Sequence, residues 1–172
     1  YNDKNARIRG GNIRARLRMI TLYNQASLHK GIVGSTDNFS ELAAGFWTLH
    51  GDVGDVAPIQ SLTKSWEVPA LSDELGVPES IISAVPTDGL GVANGDEDQF
   101  GFSYLEFDIA MFSLFNDFDI ADLEAEDMSI INNVKQRIGS TIYKRFNPLN
   151  LDHPLDQTRY ADLEQLDINL RR

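Results

Sequence analysis

The sequence predicts an α/β fold, because short apolar runs alternate with segments that have helical periodicity. Residues 31–33 and 56–59 are brief apolar runs, as expected for buried strands, and each is followed by residues that commonly cap a helix. A third helical segment, 104–115, carries Leu105, Ile109 and Phe112 at helical spacing. Strands that feed helices in this order are typical of α/β proteins.

Composition indicates one globular domain, or most of one. The chain has 172 residues, of which 42% are hydrophobic. Its apolar runs are much shorter than the roughly 18 residues of a membrane-spanning helix. Cysteine is absent, which excludes disulfides, thiolate metal sites and a thiol nucleophile. The first residues are polar and do not form a signal peptide, so we expect a cytoplasmic protein without a membrane partner.

The net charge of −11 argues against a general nucleic-acid binder, which normally presents a basic face. The charge is unevenly distributed. Residues 1–30 contain seven Lys or Arg and one Asp, a net charge of +6 that leaves −17 for the rest of the chain. Such a patch suits a small anionic ligand better than a polymer, although a solvated basic helix face is the other interpretation.

Residues 1–11 are polar and end in two glycines, so a loop is predicted there. A helix is predicted over 12–27. On this helix Arg16 lies within an apolar arc formed by residues such as Leu17 and Ile20, whereas Arg18 lies on the opposite, solvated face. A buried guanidinium must be paired or bind an anion. An internal salt bridge and a side chain that extends to the surface are the structural alternatives for Arg16.

The segment after the first strand indicates a nucleotide site. Residues 35–38 favour caps and turns, and a helix is predicted from 39 to 50. In α/β sheets ligands bind where a strand ends and a helix begins, and the free N–H groups there suit phosphate. Asn38 and Glu41 are also spaced as a capping box, so Glu41 is either a cap or a magnesium ligand.

The second predicted strand is also followed by a predicted helix. After the second strand, Ser61 or Thr63 can cap a helix that extends to residue 75, and Pro69 predicts a kink or a break in it. Lys64 lies in the first helical turn, where a cation opposes the helix dipole. This position favours a phosphate partner, and a plain exposed lysine is the alternative.

The remaining segments predict further helices separated by acidic loops. Helices are expected over 79–84, 104–115 and 128–142. Two acidic stretches, at 96–98 and within 117–127, are interpreted as solvated turns or surface. A polar tail follows, over 147–172.

The order and spacing of several motifs resemble those of NAD synthetases, ATP-dependent amidating enzymes of the adenine nucleotide α-hydrolase class. The motifs are Thr36-Asp37-Asn38-x-x-Glu41, Gly45-Phe46-x-Thr48, Gly51-Asp52 and Thr141-Ile-Tyr143-Lys144-Arg145. The resemblance implies a doubly wound parallel sheet with flanking helices, commonly in a homodimer whose interface helps form the substrate site. It also implies that residues 1–146 are the C-terminal portion of such a domain, and that 147–172 belong to it or are loosely ordered.

The resemblance implies a set of ligand contacts but no catalytic side chain. The implied contacts with ATP are Thr36, Lys64 and Thr87; those with deamido-NAD are Arg16, Asp55, Tyr143 and Lys144; and the implied magnesium ligand is Glu41. Two departures stand out: the loop that ends at Asp55 is one residue shorter than in the family, and Leu49 occupies a position where many bacterial members have a substrate-binding lysine.

The implied reaction has two steps. ATP adenylates the nicotinate carboxylate of deamido-NAD and releases pyrophosphate, and ammonia then attacks the acyl-adenylate to give NAD and AMP. The 172 residues lack the Ser-Gly-Gly-x-Asp-Ser loop with which this class holds pyrophosphate, so we expect an N-terminal portion to be missing and the chain not to complete the reaction alone. The alternatives are amidation of a related acid, such as nicotinate mononucleotide, and a non-catalytic nucleotide-binding remnant.

Overall fold

The structure is a computed structural model that describes residues 3–87, 95–116 and 124–145. These residues form eight helices: α1 Lys4–His29, α2 Phe39–Ala44, α3 Glu67–Glu74, α4 Glu79–Ile82, α5 Asp96–Phe100, α6 Tyr104–Phe115, α7 Ala125–Ser140 and α8 Ile142–Arg145. None of these helices is long and apolar enough to cross a bilayer. The predicted tail over 147–172 and most of the acidic stretch over 117–127 lie outside the described residues.

Helix α1 begins eight residues earlier than predicted, so the loop expected over 1–11 is wrong for the residues that the structure describes. The Asp3 side chain caps the helix by accepting a hydrogen bond from the backbone N–H of Asn5 at 3.1 Å. Glycine disfavours a helix interior by about 1 kcal/mol. Here Gly11 is buried together with Ala15, and these small residues form the packed face of α1.

The apolar arc of α1 is exposed, which corrects the predicted orientation of the helix. Leu17 and Ile20 keep 57% and 59% of their surface accessible. Arg16 is exposed as well, so its predicted burial is wrong. The helical pattern identifies the side chains that share a face. It does not determine which face packs against the rest of the chain.

The two predicted strands meet, but only through one parallel bridge between Gly34 and Val56. The N–H of Ser35 donates to the carbonyl of Val56 at 2.7 Å, and the N–H of Asp55 donates to the carbonyl of Val33 at 2.7 Å. The parallel direction agrees with an α/β arrangement. Within the described ranges this bridge is the whole of the β pairing, so the doubly wound sheet remains a prediction.

Helix α2 ends at Ala44, whereas the periodicity predicted a helix as far as residue 50. Gly45 stops it by adopting a left-handed conformation, with φ of 61°. A Cβ atom at Gly45 would lie 2.3 Å from Cβ of Thr141, so the position requires glycine for space as well as for conformation. Residues 46–50 consequently form a loop.

The predicted kink at Pro69 is absent because helix α3 begins later than expected. With Glu67 as its first residue, Pro69 lies in the first turn, where a missing N–H costs no intrahelical hydrogen bond. The predicted bounds of α6 are confirmed, and α7 begins three residues before its predicted start. The acidic segment 96–98 begins the short helix α5 instead of forming only a turn.

The apolar core lies between α2, α6 and α7. Its buried members are Ala43, Ala44, Phe107, Ala110, Met111, Ile131 and Val134. Full burial of a side chain such as Phe107 or Met111 stabilises a fold by about 1.5–3 kcal/mol. This core fixes α2, and with it the segment for which a nucleotide site is predicted, against the two longer helices.

Candidate functional site

A cavity of about 670 Å³ lies between α1, the start of α2, the 45–52 loop and the end of the described chain. Its volume is in the range of small-molecule sites. Five of the eight predicted ligand-binding residues line it: Thr36, Glu41, Lys64, Thr87 and Lys144. The structure therefore brings together residues from well-separated parts of the sequence.

Arg16, Asp55 and Tyr143 do not line this cavity. The Nε of Arg16 donates to the carbonyl of Leu49 at 3.1 Å. Asp55 accepts hydrogen bonds from the backbone N–H of Val33 at 2.8 Å and from the hydroxyl of Tyr23 at 3.4 Å. Tyr143 is half exposed. These three side chains do not share the cavity with the other five, and their substrate contacts remain predictions.

Glu41 forms the predicted capping box and also faces the cavity. The backbone N–H of Asn38 donates to Oε2 of Glu41 at 3.2 Å, and Oδ1 of Asn38 accepts from the backbone N–H of Glu41 at 3.0 Å. Burial raises the pKa of Glu41, and repulsion from Asp96 raises this pKa further. The hydrogen bonds to Asn38 and the charge of Lys64 oppose the shift. The capping role is confirmed.

Carboxylates that the sequence analysis did not select also line the cavity, namely Asp37, Asp52 and Asp96. Burial, followed by repulsion from Glu41 and Asp52, raises the pKa of Asp37 from 3.8 to about 6. A cation placed among these groups would relieve the repulsion. Asp37 and Asp52 lie within motifs quoted for the family resemblance, so these motifs could have identified both residues as members of the site.

The raised pKa of Asp37 predicts a specific pH dependence of stability. Because its pKa is higher in the folded state, protonation of Asp37 stabilises the fold below about pH 4, and this stabilisation is lost as the pH rises through 6. We expect Asp37→Asn to raise the free energy of unfolding at pH 8 by about 1 kcal/mol, a value reduced for partial solvent exposure. Urea unfolding from pH 4 to 8 measures this. Asp98→Asn, at an exposed position, is the control, and identical pH profiles for the two variants would contradict the assignment.

Lys144 is held at the cavity wall by backbone carbonyls. Its Nζ donates to the carbonyls of Gly45 at 2.6 Å and Trp47 at 2.5 Å, and it lies 5.5 Å from the centroid of the Trp47 ring. An ammonium group has three donors, so these contacts leave one N–H for a ligand. Burial lowers the pKa of Lys144, and repulsion from Arg137 lowers this pKa further. The charge of Asp52 opposes the shift.

Two arginines donate hydrogen bonds to the C-terminal end of α2, next to the carbonyls that Lys144 contacts. The Nε of Arg137 donates to the carbonyl of Ala44 at 2.7 Å. Arg145 donates to the carbonyls of Ala43 at 2.8 Å and Leu42 at 3.3 Å. With Lys144 they place three cations at the negative end of the α2 dipole, where cations are favoured. Arg137, which also lines the cavity, was not predicted from the sequence, because it lies outside the motifs of the family resemblance.

Arg18 is a further cavity residue that the sequence analysis placed on a solvated face. It became part of the cavity wall because α1 packs through Gly11 and Ala15 instead of through its apolar arc. The cavity therefore contains cations from α1, from the segment before α3 and from the end of the described chain. This distribution suits a ligand with several negative charges.

The cavity residues fit magnesium only together with a bound nucleotide. Among residues 3–87, 95–116 and 124–145, no group of three or more His, Cys, Asp or Glu side chains is arranged to hold a metal ion. Magnesium usually takes one or two protein carboxylates and completes its shell with water and substrate phosphates. The capping box occupies Oε2 of Glu41, so Oε1 is the oxygen that could serve such an ion.

Comparison with known proteins assigns the chain to a family. A family model described as NAD synthase matches residues 1–148. The chain belongs to the NAD synthase family. An NH(3)-dependent NAD(+) synthetase of Thermoplasma volcanium is 45% identical over 107 residues, which cover 62% of this chain and 44% of that protein. One of Staphylothermus marinus is 35% identical over 149 residues, covering 84% of this chain and 54% of that protein.

Two solved structures are similar to the structure of this chain. An NMN synthetase from Francisella tularensis is 28% identical with a TM-score of 0.70, covering 90% of this chain and 59% of that one. An NH3-dependent NAD synthetase from Campylobacter jejuni, in complex with the nitrate ion, is 32% identical with a TM-score of 0.64. The match covers 83% of this chain and 55% of that one. The family resemblance found in the motifs is thus confirmed. The chain spans about half the length of the curated relatives described above.

Proposed function

We propose that the protein catalyses the ATP-dependent amidation of deamido-NAD to NAD through an acyl-adenylate, with ammonia as nitrogen donor, in the cytoplasm. One observation carries the proposal: in a chain of the NAD synthase family, five residues expected to contact ATP, deamido-NAD or magnesium line a single cavity. The wall has hydroxyl, ammonium and carboxylate groups, which suit a nucleotide with its cation.

The proposed contribution of the protein is to position its ligands and balance their charge. Lys64 and Arg18 would offset phosphate charge, and the remaining N–H of Lys144 would hold the dinucleotide. Thr36, between the parallel bridge and the start of α2, would contact ATP where a strand gives way to a helix. Magnesium, when bound with ATP at Glu41, would neutralise phosphate charge. We assign no side chain to nucleophilic or acid–base chemistry.

We also propose that a second copy of the chain covers the apolar face of α1. Four apolar side chains share this face and are each more than half exposed: Ile13, Leu17, Ile20 and Leu28. Successive members lie four, three and eight residues apart, as expected for one face of a helix. Arg16 is exposed on the same helix. A homodimer formed through this face would bury the apolar stripe and give Arg16 access to a site shared between subunits. The molar mass in solution tests this proposal.

The function is tested by calorimetric binding and by turnover of the protein in the form that its gene encodes. We expect binding of ATP with magnesium, binding of deamido-NAD, and NAD formation that requires ammonia. Nicotinate mononucleotide is offered as a competing acid, because Leu49 replaces a lysine that many bacterial members use for substrate. Preference for the mononucleotide would change the assigned substrate, and ATP binding without magnesium-dependent turnover would indicate a binding module.

Arg16→Ala tests the assigned dinucleotide contact. We expect the affinity for deamido-NAD to fall about tenfold, with ATP affinity changed by less than about twofold, because a lost charged hydrogen bond is worth about 1.5–3 kcal/mol. Arg14→Ala is the matched control, an exposed arginine on the same helix. Equal loss of both affinities, or no loss in a folded variant, would remove the role from Arg16.

Glu41→Gln separates the two roles of Glu41. Glutamine also serves in a capping box, so we expect the free energy of unfolding to change by less than about 0.5 kcal/mol. The magnesium concentration for half-maximal ATP binding should rise about tenfold, because a neutral amide is a weak ligand for a hard cation. A magnesium titration measures this, and an unchanged midpoint would leave Glu41 with only its structural role.

A further inference from the structure

The carboxylate of Asp108 on α6 is fully buried where three segments meet. The hydroxyl of Ser40 donates to its Oδ1 at 2.5 Å. Ser65 donates twice to Oδ2, from its backbone N–H at 3.0 Å and from its hydroxyl at 2.7 Å. A buried carboxylate is costly unless it is hydrogen-bonded, and these donors satisfy both oxygens. Asp108 does not line the cavity, and no role was assigned to it from the sequence.

The hydrogen bonds that satisfy Asp108 also fix the backbone of Lys64. The hydroxyl of Ser40, which donates to Asp108, accepts a hydrogen bond from the N–H of Lys64 at 2.8 Å. The residue after Lys64 is bound to Asp108 directly. On the other side, the N–H of Phe39 donates to the carbonyl of Leu62 at 2.8 Å. The segment that carries Lys64 is therefore tied to the first turn of α2 on both sides of Lys64.

This arrangement sets the geometry between a cation and a carboxylate of the cavity. Glu41 follows Ser40 in the first turn of α2, and the charge of Lys64 partly offsets the rise in its pKa that burial causes. Lys64 itself lies over the Tyr104 ring, 5.9 Å from its centroid. Movement of the 62–65 segment would change where the ammonium group of Lys64 lies relative to Glu41, although neither side chain would be altered.

We infer that Asp108 is a positioning residue, which holds the backbone of Lys64 against the start of α2 so that the ammonium group meets ATP beside Glu41. The inference rests on the proposed function, in which Lys64 contacts ATP. A carboxylate is required because both oxygens accept hydrogen bonds. An asparagine would direct its NH₂ group at the Ser65 donors or force the hydroxyl of Ser40 to turn.

The test is a double-mutant cycle between Asp108→Asn and Lys64→Met, with affinities measured by calorimetry. We expect Asp108→Asn alone to weaken ATP binding about tenfold and to leave deamido-NAD binding within about twofold. In the Lys64→Met background, Asp108→Asn should weaken ATP binding no further, because its effect acts through Lys64. A merely structural role would lower both affinities and would persist without Lys64, and that result would overturn the inference.

Two further variants keep the test decisive. If Asp108→Asn does not fold, the cycle is run with Ser65→Ala, which keeps the carboxylate and removes one of its donors. Ser113→Ala is the control on α6, since that hydroxyl donates to the carbonyl of Ile109 within its own helix. Failure of the unsubstituted protein to bind ATP would refute the proposed function itself. ATP binding with additive losses in the cycle would refute only the role of Asp108.

Discussion

Replacement of Arg145 by alanine is expected to lower the free energy of unfolding by about 2–4 kcal/mol. Its NH1 group donates to the carbonyls of Leu42 and Ala43, and its NH2 group donates to the carbonyl of Ile138 at 2.6 Å. Without the guanidinium, the final carbonyls of α2 would lose their charged donor. Helix α2 has only six residues, too few to be stable without tertiary contacts.

Urea unfolding followed by circular dichroism measures the loss. Arg145→Lys should be intermediate, because it keeps the charge but cannot reach three carbonyls with a planar fork. Arg14→Ala, at an exposed position, should change stability by less than about 0.5 kcal/mol. If Arg145→Ala is no more destabilising than this control, the hydrogen bonds at the end of α2 do not contribute as described.

Replacement of Lys64 by methionine is expected to weaken ATP binding by about thirtyfold, equivalent to about 2 kcal/mol. The side chain keeps its length and apolar stem, so the contact with the Tyr104 ring loses only its cationic component. The cavity would also lose a cation that offsets the charge of Glu41. The nucleotide phosphates would then meet more negative charge.

Calorimetric titration at two salt concentrations tests this prediction. The loss caused by Lys64→Met should be smaller at high salt, because screening weakens the interaction in the unsubstituted protein. Lys135→Met, which replaces an exposed lysine on α7, is the matched control for net charge. An equal effect of both substitutions would mean that overall charge, and not a contact by Lys64, governs ATP affinity.

Features that depend on neighbouring residues were predictable from the sequence. The capping box of Asn38 and Glu41 needs only a spacing of three residues and suitable side chains. The bounds of α6 were predicted correctly from the spacing of Leu105, Ile109 and Phe112, although these side chains are each at least half exposed. The family resemblance selected five residues that line the cavity, among them Thr36 and Lys64, because motif order reflects a common fold even where the intervening geometry is unknown.

Features that depend on distant contacts were not predictable in this way. Gly45 ends α2 against Thr141, a neighbour that local periodicity cannot reveal. The direction in which α1 packs depends on Gly11 and on its fit against the rest of the chain, so the predicted burial of Arg16 was wrong and the place of the exposed Arg18 at the cavity was not predicted. The role inferred for Asp108 requires Ser40 and Ser65 to converge on one carboxylate, and no sequence spacing indicates that convergence.

The cations at the end of α2 also determine when the cavity can form during synthesis. Their hydrogen bonds join residues that are 93 to 103 positions apart. At about 5–20 residues per second, a ribosome needs on the order of 5–20 s to make that intervening chain. Until Arg137 and Lys144 have emerged, α2 lacks these partners and one wall of the cavity is absent. A nascent chain interrupted before residue 137 would thus contain Thr36, Glu41 and Lys64 without an assembled site.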